Sequence, residues 1–383
     1  MLKVFGEDLV DQESLNQMKA ALALPIAVRG ALMPDSHVGY GLPIGGVLAT
    51  EGGVIPYAVG VDIACRVKLT IFDASESYLS SRFENLSKLL QKYTFFGVGA
   101  TNPLRESHQV LDDIRWHKIS RLKELKDLAV KQLGTSGSGN HFVEFGIFEV
   151  LEPFETFKVG EKFLALVSHS GSRGFGARVC EYYSKLAKKI NPKYRNLAYL
   201  PIPGEGEEYW EAMTLAGDYA SANHFLIHKR LADRLDVPVK FSMENHHNFA
   251  WKEQIDGKTF FVHRKGATPA HKGVLGYIPG TMASPGFLVR GLGNPESLNS
   301  SAHGAGRIMS RREAKRTLSY RDDVVNLAGS KGVVVLRAGR DESPKVYKEI
   351  TQVLDRQKDC VEILGRFYPK IVVMAGDDEE AED

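Results

Sequence analysis

The residues best equipped for chemistry in this chain are a carboxylate, a thiol and several imidazoles set among glycines. Asp62 precedes Cys65 in VDIACRV, and His141, His169 and the pair His246-His247 each lie in or beside a glycine- or asparagine-rich turn. An oxygen donor, a thiolate and imidazoles suit Mn2+, Zn2+ or Fe2+ without choosing among them. The compact zinc spacings CxxC and HExxH do not occur. Spacing alone leaves two readings open: a metal site, or a buried thiol with histidines satisfied in ordinary turns.

A second group surrounds His303. The stretch NSSAHGAGRIMSR (299–311) places it between Ser300, Ser301, Gly304 and Gly306, with Arg307 and Arg311 behind. Small neighbours let backbone and ligand approach closely, and the arginines supply positive charge. A histidine acting as nucleophile on phosphorus needs an unobstructed in-line approach and charge to neutralise the transition state. An ordinary loop histidine is the alternative. The segments SHSGSRG (168–174) and HRKGAT (263–268) combine hydroxyls, glycine amides and Arg173, Arg264 and Lys265, a composition suited to oxyanions or to solvated turns. Neither is a P-loop, because GxxxxGK[ST] is absent.

The elements that must position these residues follow from periodicity. A buried strand over 163–168 runs into a glycine loop and sets His169 at a strand's carboxyl end, where ligands gather in α/β sheets. Further strands are expected at 66–71, 259–263, 332–337 and 371–374. Apolar spacing predicts a long helix over 209–235, on which His224 and His228 are structural or surface residues rather than ligands. Ser343 as cap and Pro344 at the first helical position predict a helix over 343–364. Ser310 and Glu313 form a capping box that starts another just after His303. Without internal repeats or a Ser/Pro linker, a single interleaved α+β domain over 1–376 is expected, its central sheets flanked by helices and its site in a glycine-rich cleft. Residues 377–383 form an acidic tail expected to be disordered.

Composition narrows the class. Lys and Arg number 49 against 47 Asp and Glu, a net charge of +2, so nucleic-acid binding would need a local basic patch. Three cysteines are too few for a disulfide framework and suggest a reducing compartment, the cytoplasm. The N-terminus lacks the order of a signal peptide, and no apolar run approaches the ~18 residues that span a bilayer, so no membrane partner is expected.

Read in order, the motifs resemble the RtcB family of RNA ligases. They are MPDSHVGYGLPIGG (33–46), VGVDIACRV (59–67), LGTSGSGNHFVEF (133–145), SHSGSRGFG (168–176), HHNFAWKE (246–253), HRKGAT (263–268), PGTMASPGF (279–287) and SSAHGAGRIMSR (300–311). The resemblance implies an enzyme that joins RNA bearing a 2′,3′-cyclic phosphate or 3′-phosphate to RNA bearing a 5′-hydroxyl, using GTP and two Mn2+ ions. It implies that His303 attacks the α-phosphorus of GTP, that Cys65 bridges two metals, that Asp62 and His141 complete one and that His169 and His247 complete the other. By the same carry-over, Asn140, Phe142 and Glu144 surround the nucleotide, Tyr347 lies near the guanine, and Arg173, Lys265 and Arg311 meet RNA phosphates. Asp35 and His37 are expected to support other residues, and His246 to be a neighbour of the site.

The sequence departs from the family in two places. Ala64 and Arg66 flank Cys65 where Asn and Gly are usual, and Met374-Ala375-Gly376 stands where a closing Lys-Gly contacts the guanine or its sugar. The compact length resembles a branch linked to repair of broken tRNA or rRNA, with an archease-type activator or a release-factor homologue as the partner this suggests. Two other readings stand beside ligation: a metal-dependent 2′,3′-cyclic phosphodiesterase lacking guanylylation, and a non-catalytic homologue that binds RNA ends.

Overall fold

The larger of two main β-sheets collects strands from the whole length of the chain. In a computed structural model describing residues 1–377, its strands run in the order Leu275–Ile278, Gly286–Gly291, Val361–Met374, Phe142–Val150, Lys162–Ser170, Arg66–Phe72 and Val239–His246. Val334–Arg337 adds an eighth, parallel to Val361–Met374. Strand alternation sends neighbouring side chains to opposite faces. Leu164 and Leu166 pack against helices Glu76–Ser81, Phe83–Tyr93 and Glu205–Ala232, whereas Ala165 and Val167 join Tyr277, Leu288 and Phe367 on the other face. Both faces are covered, which explains the unbroken apolar run of FLALV at 163–167.

A second sheet has the order Leu2–Val4, Ala27–His37, Ile44–Thr50, Lys258–Lys265, Phe249–Ile255. Beside it, the short ladder of Ala267–Pro269 with Ser300–Ala302 delivers the chain to His303. The α+β class and the single interleaved domain expected from the sequence are what the structure has. No helix among the described residues is long and apolar enough to cross a membrane.

The helix Glu205–Ala232 corresponds to the expected 209–235 and is buried along most of its length. His228 bonds Thr70 Oγ1 through Nδ1 and Ser168 Oγ through Nε2, both at 2.8 Å, and His224 Nδ1 meets the same Ser168 Oγ at 2.9 Å. Both histidines pin the helix to the sheet, as structural residues do. The cap at Ser310 is also present: helix Arg311–Thr317 follows, with Ser310 Oγ accepting from Glu313 N at 3.2 Å.

The helix expected over 343–364 is corrected. Ser343 caps only a 3-10 turn, Pro344–Val346, after which Tyr347 bridges to Arg307 in extended backbone. A short helix, Ile350–Asp355, follows, and Val361 opens a long strand. The β-branched and aromatic sequence VEILGRFYPKIVVM is taken up between Gly286–Gly291 and Phe142–Val150, and sheet pairing at both edges outweighs the local start signal. Of the acidic tail, Asp377 is in place, paired to Arg340 at 2.8 Å, and 378–383 lie outside the described residues.

Candidate metal and nucleotide site

Antiparallel pairing brings four sequence-distant segments to one rim of the larger sheet. Asp62–Cys65 leads into the strand beginning at Arg66, His141 directly precedes Phe142, His169 is next to last in its strand, and His247 follows His246 at a strand's end. The register seals this: His169 lies opposite both Val67 and Phe142, and Arg66 lies opposite His246. Strand ends are where backbone leaves the ladder and side chains can converge on a ligand.

Five groups converge there in two sets that share one atom. Asp62, Cys65 and His141 form one set and Cys65, His169 and His247 the other, with ligand atoms in each within 4.8 Å of one another. Cys65 Sγ lies 3.4 Å from His141 Nε2 and 3.0 Å from His169 Nε2, which is 3.3 Å from His247 Nε2. Asp62 Oδ2 is 3.1 Å from His141 Nε2, yet it is buried without an aligned hydrogen bond, as is His247 Nδ1.

This donor set fits cations on two counts. His169 Nδ1 donates to Asn140 O at 3.2 Å, which fixes the tautomer whose Nε2 lone pair faces the cluster. Asp62 Oδ2, which has only the unaligned contact with His141 Nε2, is the acceptor a buried cation would satisfy. Although burial works to raise it, the Asp62 carboxyl is held down at about 2 by His141 and Arg173. His141 is set differently: the Arg173 guanidinium, which can only donate, sits 3.3 Å from its Nδ1. Its proton therefore lies on Nε2, so His141 would have to release that proton to hold a cation through this nitrogen. Gly137 makes room for this arrangement, since at φ +97° a side chain would stand 2.3 Å from His141 Nδ1 and 2.5 Å from Arg173 Cζ.

His303 stands beside this cluster, its ring centroid 4.7 Å from that of His247. The fully buried Asp35 holds it. A single oxygen, Asp35 Oδ2, accepts from His303 Nδ1 at 2.7 Å, from His303 N at 3.1 Å and from Gly304 N at 3.3 Å. Because a carboxylate only accepts, Nδ1 carries a proton, which in the neutral ring leaves the lone pair on Nε2. Gly306 allows this close approach: at φ +78° a side chain there would lie 2.0 Å from Asp35 O. His37 Nδ1 contacts Asp35 O at 3.2 Å, and burial pushes the His37 imidazole down to about 4, so it is neutral.

A cavity of about 930 Å3 opens over these groups, toward the upper end of the usual range for ligand pockets. Its wall includes Asp62, Cys65, His141, His169, His247 and His303 together with Asn140, Phe142, Glu144 and Tyr347. Burial pushes the Glu144 carboxyl up to about 8, leaving it protonated at neutral pH. Tyr347 donates to Glu342, and burial raises its phenol.

The basic residues are already engaged. Arg173 is buried off the cavity wall, between Thr135 and His141. Lys265 reaches the wall but donates to Tyr40 O at 2.6 Å and Tyr57 O at 3.1 Å, and burial lowers its ammonium to about 8. Arg311 pairs with Asp341 at 3.2 Å and with Glu342, and Arg307 pairs with Glu342 at 3.2 Å. Arg264 is buried against Glu253 at 2.6 Å. His246 lies outside the cavity wall, packed on Phe249 and Trp251.

Both departures beside the site are accommodated. Arg66 is buried and bonds Glu244 at 2.6 Å and Gly217 O at 2.8 Å, so its charge is neutralised away from the cavity. Met374, with Val372, forms an apolar patch of the wall.

Sequence reading left several working residues unassigned. Asp341 and Glu342 organise both arginines, and Lys348 reaches Pro34 O at 3.0 Å and Ser36 O at 2.7 Å to brace the segment that carries Asp35. The signal for Asp35 was its place in the PDSH segment; nothing local marks the acid pair, whose partners are about 30 residues away.

Comparison with known proteins gives a concordant result. A family model described as tRNA-splicing ligase RtcB matches residues 17–375. The chain is 33% identical to the RNA-splicing ligase RtcB of Escherichia coli K12, over 93% of this chain and 92% of that one. It is 31% identical to the tRNA-splicing ligase RtcB of Methanococcus maripaludis, over 90% and 88%. With the tRNA-splicing ligase RtcB of Thermococcus kodakarensis the identity is 30%, over 96% and 94%.

Proposed function

The chain belongs to the RtcB family of RNA ligases, and from that premise we propose that it is a GTP- and Mn2+-dependent RNA ligase working in repair of broken tRNA or rRNA. It joins a 2′,3′-cyclic phosphate or 3′-phosphate end to a 5′-hydroxyl end. The observation that carries this reading is the Asp35–His303 bond of 2.7 Å beside the cluster centred on Cys65 Sγ. It presents one imidazole nitrogen, lone pair outward, at a cavity large enough for a nucleotide.

In this reading His303 Nε2 attacks the α-phosphorus of GTP, the bond to the pyrophosphate oxygen breaks, and His303 carries the guanylate. Asp35 keeps the proton on Nδ1 and offsets the positive charge that grows on the imidazole as the bond forms. The guanylate then passes to the RNA 3′-phosphate, and the 5′-hydroxyl displaces GMP to close the phosphodiester. Asp62, Cys65 and His141 would hold one Mn2+ and Cys65, His169 and His247 another; bound there, the pair supplies charge neutralisation for phosphoryl transfer. Asn140, Phe142, Glu144 and Tyr347 line the nucleotide's place. Glu144, protonated, can both donate and accept at a base edge. Arg173, Lys265 and Arg311 contribute positive charge toward RNA phosphates, Arg311 by exchanging its acid partners.

The test supplies purified protein with GTP, Mn2+, an RNA ending in a 2′,3′-cyclic phosphate and an RNA beginning with a 5′-hydroxyl. A joined product that requires GTP is expected. Opening of the cyclic end without joining would instead identify a phosphodiesterase, and binding without any turnover a non-catalytic end-binding protein.

A further inference from the structure

The lip of the cavity carries an aromatic side chain that the chemistry above does not use. Tyr40 is 67% exposed in a glycine-flanked turn, yet the turn beneath it is fixed. Gln17 Nε2 donates to Gly39 O at 2.7 Å, Gly39 N donates to Gln17 Oε1 at 3.1 Å, and buried Lys265 donates to Tyr40 O at 2.6 Å. Gly41, at φ +78°, lies so close to Asn196 that a side chain would sit 2.7 Å from its carbonyl oxygen. A large ring held outward on a pinned turn has already lost the backbone entropy that binding would otherwise cost.

The surface next to Tyr40 is basic and aromatic in alternation. Lys265 ties Tyr40 O to Tyr57 O, and Lys188 lies over the Tyr57 ring at 4.8 Å. Helix Arg173–Ile190 ends here with Lys188 and Lys189, and the turn containing Asn196 adds Lys193, over the Tyr194 ring at 4.7 Å, and exposed Arg195. Among the nearby acids, Glu181 is paired with Lys185 at 2.6 Å and with Arg178 at 3.2 Å, while Asp11 and Glu13 line the same cavity as Tyr40. Positive charge beside an exposed ring is what single-stranded nucleic acid recognises: phosphates follow the charge, and a base stacks on the ring whatever its sequence.

Resting on the ligase reading, we propose that single-stranded RNA leaving the cavity lies along this strip, with an unpaired base near the reacting end stacked on Tyr40 and the following phosphates met by Lys188, Lys193 and Arg195. Tyr40 is thus a positioning residue for the RNA strand. The strip accounts for RNA affinity in a chain whose net charge is only +2.

The test measures binding of a fluorescent single-stranded RNA with a 3′-phosphate by anisotropy across a salt series. Tyr40→Ala should weaken binding by about 5- to 150-fold, the effect of losing one base stack, while Tyr40→Phe stays close to wild type. Lys188→Ala and Lys193→Ala should each flatten the log–log salt dependence by about 0.7. Wild-type affinity in Tyr40→Ala, or equal loss in Tyr40→Phe, would overturn the proposal, as would a blunt RNA duplex bound as tightly as the single strand. Radiolabelling of wild-type His303 by GTP is a separate readout, so failure of the ligase reading is distinguishable from failure of the strip.

Discussion

Asp35→Ala is expected to lower the single-turnover rate of His303 guanylylation on the order of 10^4-fold, comparable to removing the orienting carboxylate of a catalytic triad. The reason is that three donors converge on one oxygen, Asp35 Oδ2. Alanine leaves Nδ1 without an acceptor, so the ring loses both its preferred tautomer and its orientation. Two backbone N–H groups also lose their partner, at roughly 1–3 kcal/mol each, and thermal melting should register that cost. Asp35→Asn separates charge from geometry. Its amide oxygen can occupy the Oδ2 position and keep all three contacts, so its rate should fall only about 10-fold, the difference between a charge-assisted and a neutral bond. A rate for Asp35→Ala within tenfold of wild type would mean that Asp35 does not orient the nucleophile.

Cys65→Ala should abolish cation binding at both sets of ligands, because Sγ is the one atom they share. His141→Ala and His247→Ala each touch one set only. Mn2+ titration of the three variants, read by calorimetry, should therefore show the two histidine variants each retaining one class of site and Cys65→Ala retaining neither. The loss in Cys65→Ala should exceed the roughly 10- to 100-fold in affinity typical of removing a supporting partner. Undiminished binding at either site in Cys65→Ala would refute the shared-thiolate arrangement.

The parts of this protein that were legible in its sequence are those fixed by local pattern. His141 and His169 stood out because each sits where an apolar run meets a glycine turn, which is also how a strand end looks in three dimensions, Cys65 because it follows Asp62 by three residues, and His303 because its neighbours are small. The apolar run at 163–167 and the spacing along 209–235 gave a strand and a helix close to those found. Val361–Met374 was not legible in full, because its strand character comes from neighbours on both edges and the signal at Ser343 and Pro344 is a start without a stop. The Asp341–Glu342 pair, the bracing by Lys348 and the engaged state of Arg173, Lys265 and Arg311 all depend on contacts distant in sequence. Basic residues in glycine-rich motifs look available for phosphates; burial shows which internal carbonyls, hydroxyls and acids they already serve.

The central claim is that His303 becomes covalently guanylylated, and the most direct measurement is incubation of the protein with α-32P-GTP and Mn2+ followed by denaturation. A phosphoramidate should give label that survives alkali, is lost in acid, and is absent from His303→Ala. Label that persists in His303→Ala, or wild-type protein that stays unlabelled with its metal bound, would contradict the account.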